Sequence, residues 1–95
     1  MSDIRRIVLD VLKPHEPSIV EFAETLEDIG EVEGVNLTLV EIDEEVQNIK
    51  ITLEGSQMDF DEIKAGIENL GGSVHSVDEI ACGERIVEKI STPQD

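Results

Sequence analysis

The stretch GVNLTLVEIDEEVQNIKITLEG, residues 34–55, decides the fold because two alternating segments flank one short acidic turn. Apolar residues at every second position are typical of a strand with one buried face. The predicted buried face comprises Val35, Leu37, Leu39, Ile49, Ile51 and Leu53. The turn is expected between Asp43 and Val46. The centre of the chain is therefore predicted to be a β-hairpin.

A helix is predicted before this hairpin, because the apolar spacing changes there from two residues to three or four. The apolar stripe comprises Ile19, Phe22, Ala23, Leu26 and Ile29. Ser18 and Glu21 match the S-x-x-E capping box that opens a helix, and Pro17 at the first helical position is an alternative start. Gly30 is expected to end this helix.

A second helix is predicted after the hairpin, with the same spacing of apolar residues. Its stripe comprises Phe60, Ile63, Ile67 and Leu70. Asp59 is the predicted N-cap, and Gly71 with Gly72 can supply the positive-φ stop that often ends a helix. This second helix is therefore bounded by sequence signals at both ends.

Two further strands are predicted outside the helices. Residues 5–13 alternate apolar with polar or less buried positions, and Pro14 is expected to end this strand. Residues 73–80 form the other strand, but Val74 and Val77 have opposite parity. The facing of this last strand is therefore left open by the sequence.

The order of elements is strand, helix, strand, strand, helix, strand. Two interleaved right-handed crossover units of this kind predict a ferredoxin-like α+β sandwich, with sheet order 4-1-3-2 and both helices on one face. Ninety-five residues suit a single domain spanning 1–95. ERIVEKIS, residues 84–91, predicts a short extra C-terminal strand, and residues 92–95 are expected to fray.

The net charge of the chain limits the classes of partner that it is expected to bind. Asp and Glu number 23 against 7 Lys and Arg, which gives a formal net charge of −16. Such a charge repels phosphate groups, so we expect no nucleic acid and no anionic membrane as partner. Three interpretations of the acidity stay open: a solvated surface, adaptation to high salt, and the binding of cations.

The single cysteine and the N-terminus indicate the compartment. Cys82 has no second cysteine with which to form an intrachain disulfide or a Cys-pair metal site. The N-terminus MSDIRRIVLDVLKPH lacks the pattern of a signal peptide, and no run approaches the roughly 18 apolar residues of a membrane span. We therefore expect a soluble cytoplasmic protein.

The face of the sheet opposite the helices is expected to carry aliphatic residues. By strand parity these are Val8 and Leu12 from the first strand and Val40 and Ile42 from the second. Clustered exposed apolar residues indicate an interaction surface, although scattered exposure is the ordinary alternative. We predict self-association through this face or through the edge strands.

Several segments together resemble one archaeal family, known as domain of unknown function 211. They are RRIVLDVLKPHEPSIVEFA, GVNLTLVEID, NIKITLEG, DFDEI, GGSVHSVDEI and the terminal TPQD. The resemblance covers essentially the whole chain. It implies a ferredoxin-like fold, an archaeal source and ring-shaped homo-oligomers, and it implies neither an activity nor catalytic residues.

The acidic hairpin tip is the strongest candidate for a metal site. Glu41 and Asp43 point the same way on a strand, and Asp10 is a third candidate ligand. Hard cations such as Ca²⁺ or Mg²⁺ bind clustered carboxylate oxygens without His or Cys. A solvated hairpin tip is the alternative, since the spacing does not match an EF-hand loop.

His15 lies in the loop between Pro14 and Pro17. The two prolines stiffen this loop, which could present a ligand but lacks several convergent partners in sequence. We therefore interpret it mainly as a rigid elbow before the helix.

His75 is the second candidate. As a strand residue it shares a face with Glu79, while Asp78 points to the other face. A surface or interface histidine is the simpler interpretation.

Two functional hypotheses follow. The first is a non-enzymatic ring-forming homo-oligomer that binds divalent cations or a small ligand at subunit interfaces. The alternative is an enzyme with an intersubunit acid–base site, using His15 or His75 with Asp10 or Glu79. The first is favoured, because no Ser/His/Asp or Cys/His arrangement and no Gly-rich phosphate cradle is present.

Overall fold

A computed structural model describes residues 3–89 of the protein. The elements are β1 (Ile4–Pro14), α1 (Ile19–Glu27), β2 (Val32–Ile42), β3 (Val46–Gly55), α2 (Phe60–Asn69) and β4 (Ser73–Cys82). This is the predicted order of strands and helices. The β2–β3 turn falls where the acidic residues of the central stretch predicted it.

The four strands form one antiparallel sheet in the order β2-β3-β1-β4, so β2 and β4 are its two edges. Read from the other edge this is 4-1-3-2, as predicted. The residues of α1 and α2 that are buried pack on the same sheet face as the buried residues of the strands. The fold is therefore a ferredoxin-like α+β sandwich, and that prediction is confirmed.

The core is aliphatic apart from Phe22. It comprises Ile7, Leu9, Val11, Phe22, Leu26, Ile49, Ile51, Leu53, Met58, Ile63 and Ile67. Burial alternates strictly along β1 and through the centre of β3, because successive side chains of a strand point to opposite faces. This helix-side face is thus the one that the alternation in sequence predicted.

Capping residues set the helix ends. Ser18 is the N-cap of α1, since its Oγ accepts a hydrogen bond from the Glu21 amide at 3.2 Å. This confirms the capping-box start over the alternative at Pro17. The helix ends at Glu27, three residues before Gly30, so the predicted stop was too late.

Helix α2 has the predicted boundaries. Asp59 accepts hydrogen bonds from the amides of Asp61 and Glu62. After the helix, Gly71 has a φ of +91°, which favours glycine and turns the chain into β4.

Irregularities in the β1–β4 ladder settle the facing of β4. Val77 pairs with Leu9 and Val74 pairs with Val11, so both valines lie on the helix-side face. The register shifts between these two pairs, and the extra residue of the resulting bulge reconciles their opposite parity.

The predicted extra strand does not form within the described residues. Residues 84–89 have neither helix nor strand, and 90–91 lie outside the described part, as does the predicted tail 92–95. Side chains of β1 hold this segment instead: Arg5 donates to the Glu84 carbonyl and Arg6 binds Glu88. These contacts replace the ladder that a fifth strand would need.

Candidate functional site

The structure brings together two of the three predicted metal ligands. Glu41 and Asp43 line one cavity of about 80 Å³ at the hairpin end of the sheet, beside Asn48 and Leu12. Asp10 does not line it, because its neighbours across the sheet are Lys50 on β3 and Ser76 on β4. Metal binding by these residues stays a prediction.

Asp43 has a structural task in the turn. Its Oδ1 accepts hydrogen bonds from the amides of Glu45 and Val46, each at 3.0 Å. These two bonds hold the pKa of the Asp43 carboxyl below its usual value. Among residues 3–89 no three His, Cys, Asp or Glu side chains converge as a metal site.

The predicted interface residues divide between two surfaces. Val8 and Leu12 are half-buried on the open face, which is the sheet face away from the helices. Val40 and Ile42 are 59% and 56% exposed on the edge strand β2.

Ile42 is not on the open face, so its predicted facing was wrong. It pairs with Gln47, which pairs with the buried Lys13 on the helix side. The cause is a register irregularity between Leu39 and Glu41, which reverses the parity of β2 at its end.

The open face is more polar than the sequence predicted. Arg6 binds Glu54 at 2.8 Å, Glu88 at 3.0 Å and Glu79 at 3.2 Å. The hydrogen bonds that Arg6 donates to Glu88, Glu54 and Glu79 raise the pKa of Arg6, and the same contact with Glu88 lowers the pKa of Glu88. One guanidinium therefore joins two strands to the C-terminal segment.

A second charged group lies farther along the open face. Lys50 contacts Asp78 at 3.2 Å, and the Ser76 hydroxyl donates to Asp78 at 2.7 Å. The hydrogen bonds from Ser76 and Lys50 lower the pKa of Asp78. Asp78 and Glu79 thus share the open face, contrary to the predicted alternation, because β4 is bulged between its pairings to Val8 and Leu9.

His15 connects two loops. Its Nε2 lies 3.1 Å from the carbonyl oxygens of both Asp43 and Glu44, and its Nδ1 lies 3.5 Å from Nε2 of Gln47. Carbonyls only accept, so these contacts assign the proton to Nε2 and leave Nδ1 as the acceptor. The ring therefore fastens the β1–α1 loop to the hairpin tip, a contact that the interpretation of this loop as a rigid elbow did not include.

Lys13 is a fully buried charged residue that the sequence analysis did not identify. Its Nζ donates to the Pro14 carbonyl at 2.8 Å and to Gln47 Oε1 at 2.9 Å. The ammonium also lies 5.3 Å from the centre of the Phe22 ring. Burial lowers the pKa of Lys13, and only its strand parity with Val11 could have indicated this position.

His75 is exposed on β4, and its electrostatic interaction with Asp78 is the smallest of the causes that lower the pKa of that carboxyl. It lies at the bulge between the β4 residues that pair with Asp10 and Val11. The structure therefore gives it no enclosed environment.

Aliphatic residues line both edges of the sheet on the helix side. Three rows cross all four strands, and every position in them is aliphatic. From β2 to β4 the rows are Val35–Leu53–Ile7–Ile80, Leu37–Ile51–Leu9–Val77 and Leu39–Ile49–Val11–Val74. Leu39, Val77 and Ile80 are each between 44% and 46% exposed. The apolar layer thus reaches both edges, where Val35, Leu37 and Val74 pack against the core and Leu39, Val77 and Ile80 remain partly exposed.

The strand order and the one-sided helix layer place this chain in the class of ferredoxin-like α+β proteins. Within that class the chain belongs to the family DUF211, described as "Uncharacterized ArCR", which matches residues 5–95. The chain is also 54% identical over 95 residues to the uncharacterized protein MJ0319 of the archaeon Methanocaldococcus jannaschii, covering 100% of this chain and 98% of the relative. The predicted family is confirmed, and these descriptions assign no activity.

None of the helices in residues 3–89 is long and apolar enough to span a membrane.

Proposed function

We propose that this protein is a non-enzymatic module whose copies join edge to edge into a closed ring. The observation that supports this proposal is that the three aliphatic rows end at both edges with exposed residues, which are Leu39 on β2 and Val77 and Ile80 on β4. A single chain leaves Leu39 and Val77 about half exposed. Covering them would remove apolar area from water, which is the main driving force for association.

The direction of the strands suits head-to-tail joining. Every neighbouring pair in the sheet is antiparallel and the number of strands is four, so β2 and β4 run in opposite directions. A second copy placed with its β4 beside β2 therefore continues the antiparallel alternation. Both apolar edges lie on the helix side, so the helix layers also remain on one side of the joined sheet.

A head-to-tail contact closes into a ring when the rotation between copies permits it. Each copy brings a formal charge of −16, so association also brings like charges together. We propose Ca²⁺ or Mg²⁺ as the counter-charge at the junctions, supported by the shared cavity of Glu41 and Asp43. A cytoplasmic setting, which the lone Cys82 favours, is part of the same proposal.

The enzymatic alternative has less support from the geometry. Both ring nitrogens of His15 are within 3.5 Å of groups that fix its position. This suits a structural role in holding the hairpin tip better than a role in proton transfer. His75 is exposed on the edge strand β4. We therefore propose assembly as the function that these residues serve.

Native mass spectrometry and light scattering test the proposal. Wild-type protein should form one discrete oligomer, whereas Leu39→Asp or Val77→Asp should yield monomers. Val20→Asp on α1 is the matched control, because Val20 is 60% exposed and lies on a helix and on neither edge strand. A wild-type monomer at every concentration and salt, or edge variants that assemble normally, would refute edge-to-edge assembly.

The cation is tested separately by adding EDTA to the oligomer. Dissociation on chelation, reversed by Ca²⁺ or Mg²⁺, would support cations at the junctions. An oligomer that persists in EDTA would refute the proposed cation at the junctions and would not affect the proposed assembly.

A further inference from the structure

The segment that follows β4 is held to its own chain at defined points. The Gly83 amide donates to the Asp3 carbonyl at 2.8 Å, and the Arg5 guanidinium donates to the carbonyl of Glu84 at 3.0 Å. Four residues later, Glu88 binds Arg6 on the open face. The segment therefore turns back from β4 and crosses the open face near its edge.

Its side chains divide into two sets. Ile86 is half-buried and Glu88 makes the ion pair with Arg6, so these two tether the segment. The residues between and beside them, Arg85, Val87 and Lys89, are exposed. Val87 is 79% exposed, the highest value for a large hydrophobic residue in the described part of the chain. We call Arg85, Val87 and Lys89 the outer strip.

The outer strip carries two basic side chains, whereas most other basic side chains of the protein bind oxygen atoms of their own chain. Arg5, Arg6, Lys13 and Lys50 each bind carbonyls, carboxylates or an amide oxygen of their own chain. The other basic residues are Lys64, Arg85 and Lys89, and two of these three lie in the outer strip. A basic and aliphatic strip on a chain of charge −16 is complementary to an acidic and apolar surface.

Such a surface lies at the start of β2. A cavity of about 240 Å³ opens there, lined by Gly34, Val35, Asn36, Thr52 and Glu54. A β-carbon added at Gly34 would meet no atom within 4 Å, so the space beside its backbone is empty. The exposed carboxylates of Glu31 and Glu33 precede Gly34 directly. This acceptor, the cavity with Glu31 and Glu33, therefore matches the outer strip in polarity and charge.

The two surfaces lie at the same level of the sheet. Gly34 pairs with Glu54, Glu54 with Arg6, and Arg6 with Ala81 on β4. Glu88 binds Nη1 of Arg6, the nitrogen that also binds Glu79 of β4, so the outer strip is tethered in this same row toward β4, while the acceptor lies at the β2 edge. Head-to-tail joining, which continues the rows from one copy to the next, thus brings the strip of one copy beside the acceptor of its neighbour.

We infer that the outer strip of one copy docks into the acceptor of a second copy, with Val87 in the cavity at Gly34 and Arg85 and Lys89 against Glu31 and Glu33. This inference rests on the proposed head-to-tail assembly and names a contact that fixes its register. The irregular β4 edge has three register shifts, which weaken continuous pairing along it. The strip would compensate by adding an anchored contact beyond β4.

Two variants test the docking from opposite sides. Gly34→Val fills the acceptor cavity, and the fold should tolerate it because a β-carbon at Gly34 meets no atom within 4 Å. Val87→Asp removes the apolar side chain of the outer strip. Losing one buried valine contact should weaken association by roughly tenfold to a hundredfold. Gly30→Val is the control for the first, because a side chain there also meets nothing within 4 Å, and Val20→Asp is the control for the second.

Mixing the two variants gives the sharpest result. Each variant retains the half that the other lacks, so each alone should need roughly tenfold to a hundredfold more protein to assemble, and below that concentration an equal mixture should form heterodimers that do not grow into rings. Carbodiimide coupling between ¹⁴N and ¹⁵N copies of the wild type should join Lys89 to Glu31 or Glu33. If both variants form the same oligomer as the wild type at the same concentration, or if the mixture gives no heterodimers, the docking is refuted while the proposed assembly remains. A wild type that stays monomeric would overturn both.

Discussion

The ammonium nitrogen of Lys13 lies 2.9 Å from Oε1 of Gln47, and this pair places a cation at the end of an otherwise aliphatic layer. Gln47 continues the contact to His15, and His15 continues it to the carbonyls of the hairpin tip. Three residues from two neighbouring strands and one loop thus form a single polar chain. It connects the buried end of β1 to the exposed hairpin tip.

The buried amine should make stability depend on pH in the alkaline range. In the unfolded chain Lys13 has its ordinary pKa of 10.5, and burial lowers the pKa in the folded protein. Between these two values the unfolded state binds more protons, so the free energy of unfolding rises with pH. Urea unfolding followed by circular dichroism, from about pH 8 to about pH 10, should show this rise in wild type and not in Lys13→Met. Lys64→Met, at an exposed position, is the control; identical pH slopes for wild type and Lys13→Met would contradict the prediction.

The contacts of His15 with the carbonyls of Asp43 and Glu44 should stabilise the hairpin tip. The loss of the ring in His15→Ala removes hydrogen bonds to two carbonyls, which we expect to lower the free energy of unfolding by about 1 kcal/mol. Hydrogen exchange should become faster in residues 43–46, the turn that the ring contacts. His75→Ala should leave this turn unchanged, and equal exchange in the two variants would show that His15 does not hold it.

Gly55 should tolerate no side chain. A β-carbon there would overlap the Glu31 carbonyl oxygen, which belongs to the backbone and has little room to move. We expect Gly55→Ala to lower the free energy of unfolding by about 2 kcal/mol or more, as steric overpacking does. Gly30→Ala is the matched control, since it meets nothing within 4 Å, and similar melting temperatures for the two variants would disprove the steric argument.

The Arg6–Glu88 pair should hold the C-terminal segment on the open face. In Glu88→Gln this ion pair is weakened, so hydrogen exchange over residues 84–89 should accelerate while the strands keep their protection. Glu84→Gln makes the same change of charge in the same segment, but Arg5 binds only the backbone carbonyl of Glu84. Equal exchange in the two variants would mean that other contacts hold the segment.

The fold could be predicted from sequence because its local signals agree with one another. Alternation fixed the helix-side residues of β1 and β3, and Ser18 and Asp59 marked the two helix starts. These signals arise within a few residues of one another, so no knowledge of distant contacts was needed.

The errors arose where strand parity breaks. An added residue in a bulge carries no sequence signature, yet it turns every later side chain to the other face. Ile42 was for this reason assigned to the wrong face, and Asp78 was wrongly separated from Glu79. The Arg6 cluster was missed for a different reason, because Glu54, Glu79 and Glu88 meet only through contacts distant in sequence.

The position of β1 between β3 and β4 has a consequence for how the chain folds. Among the four strands of this sheet β1 is synthesised first, yet it is a central strand, and its Ile4 pairs with Cys82 of β4. Pairing over such a separation closes a long loop, which slows folding and makes the last step non-local. During synthesis β1 can pair with β3 early, but one of its sides stays open until β4 has been made. The nascent chain therefore leaves one side of a strand with three fully buried aliphatic residues, Ile7, Leu9 and Val11, unpaired until β4 is made, and its high negative charge opposes self-association during that time.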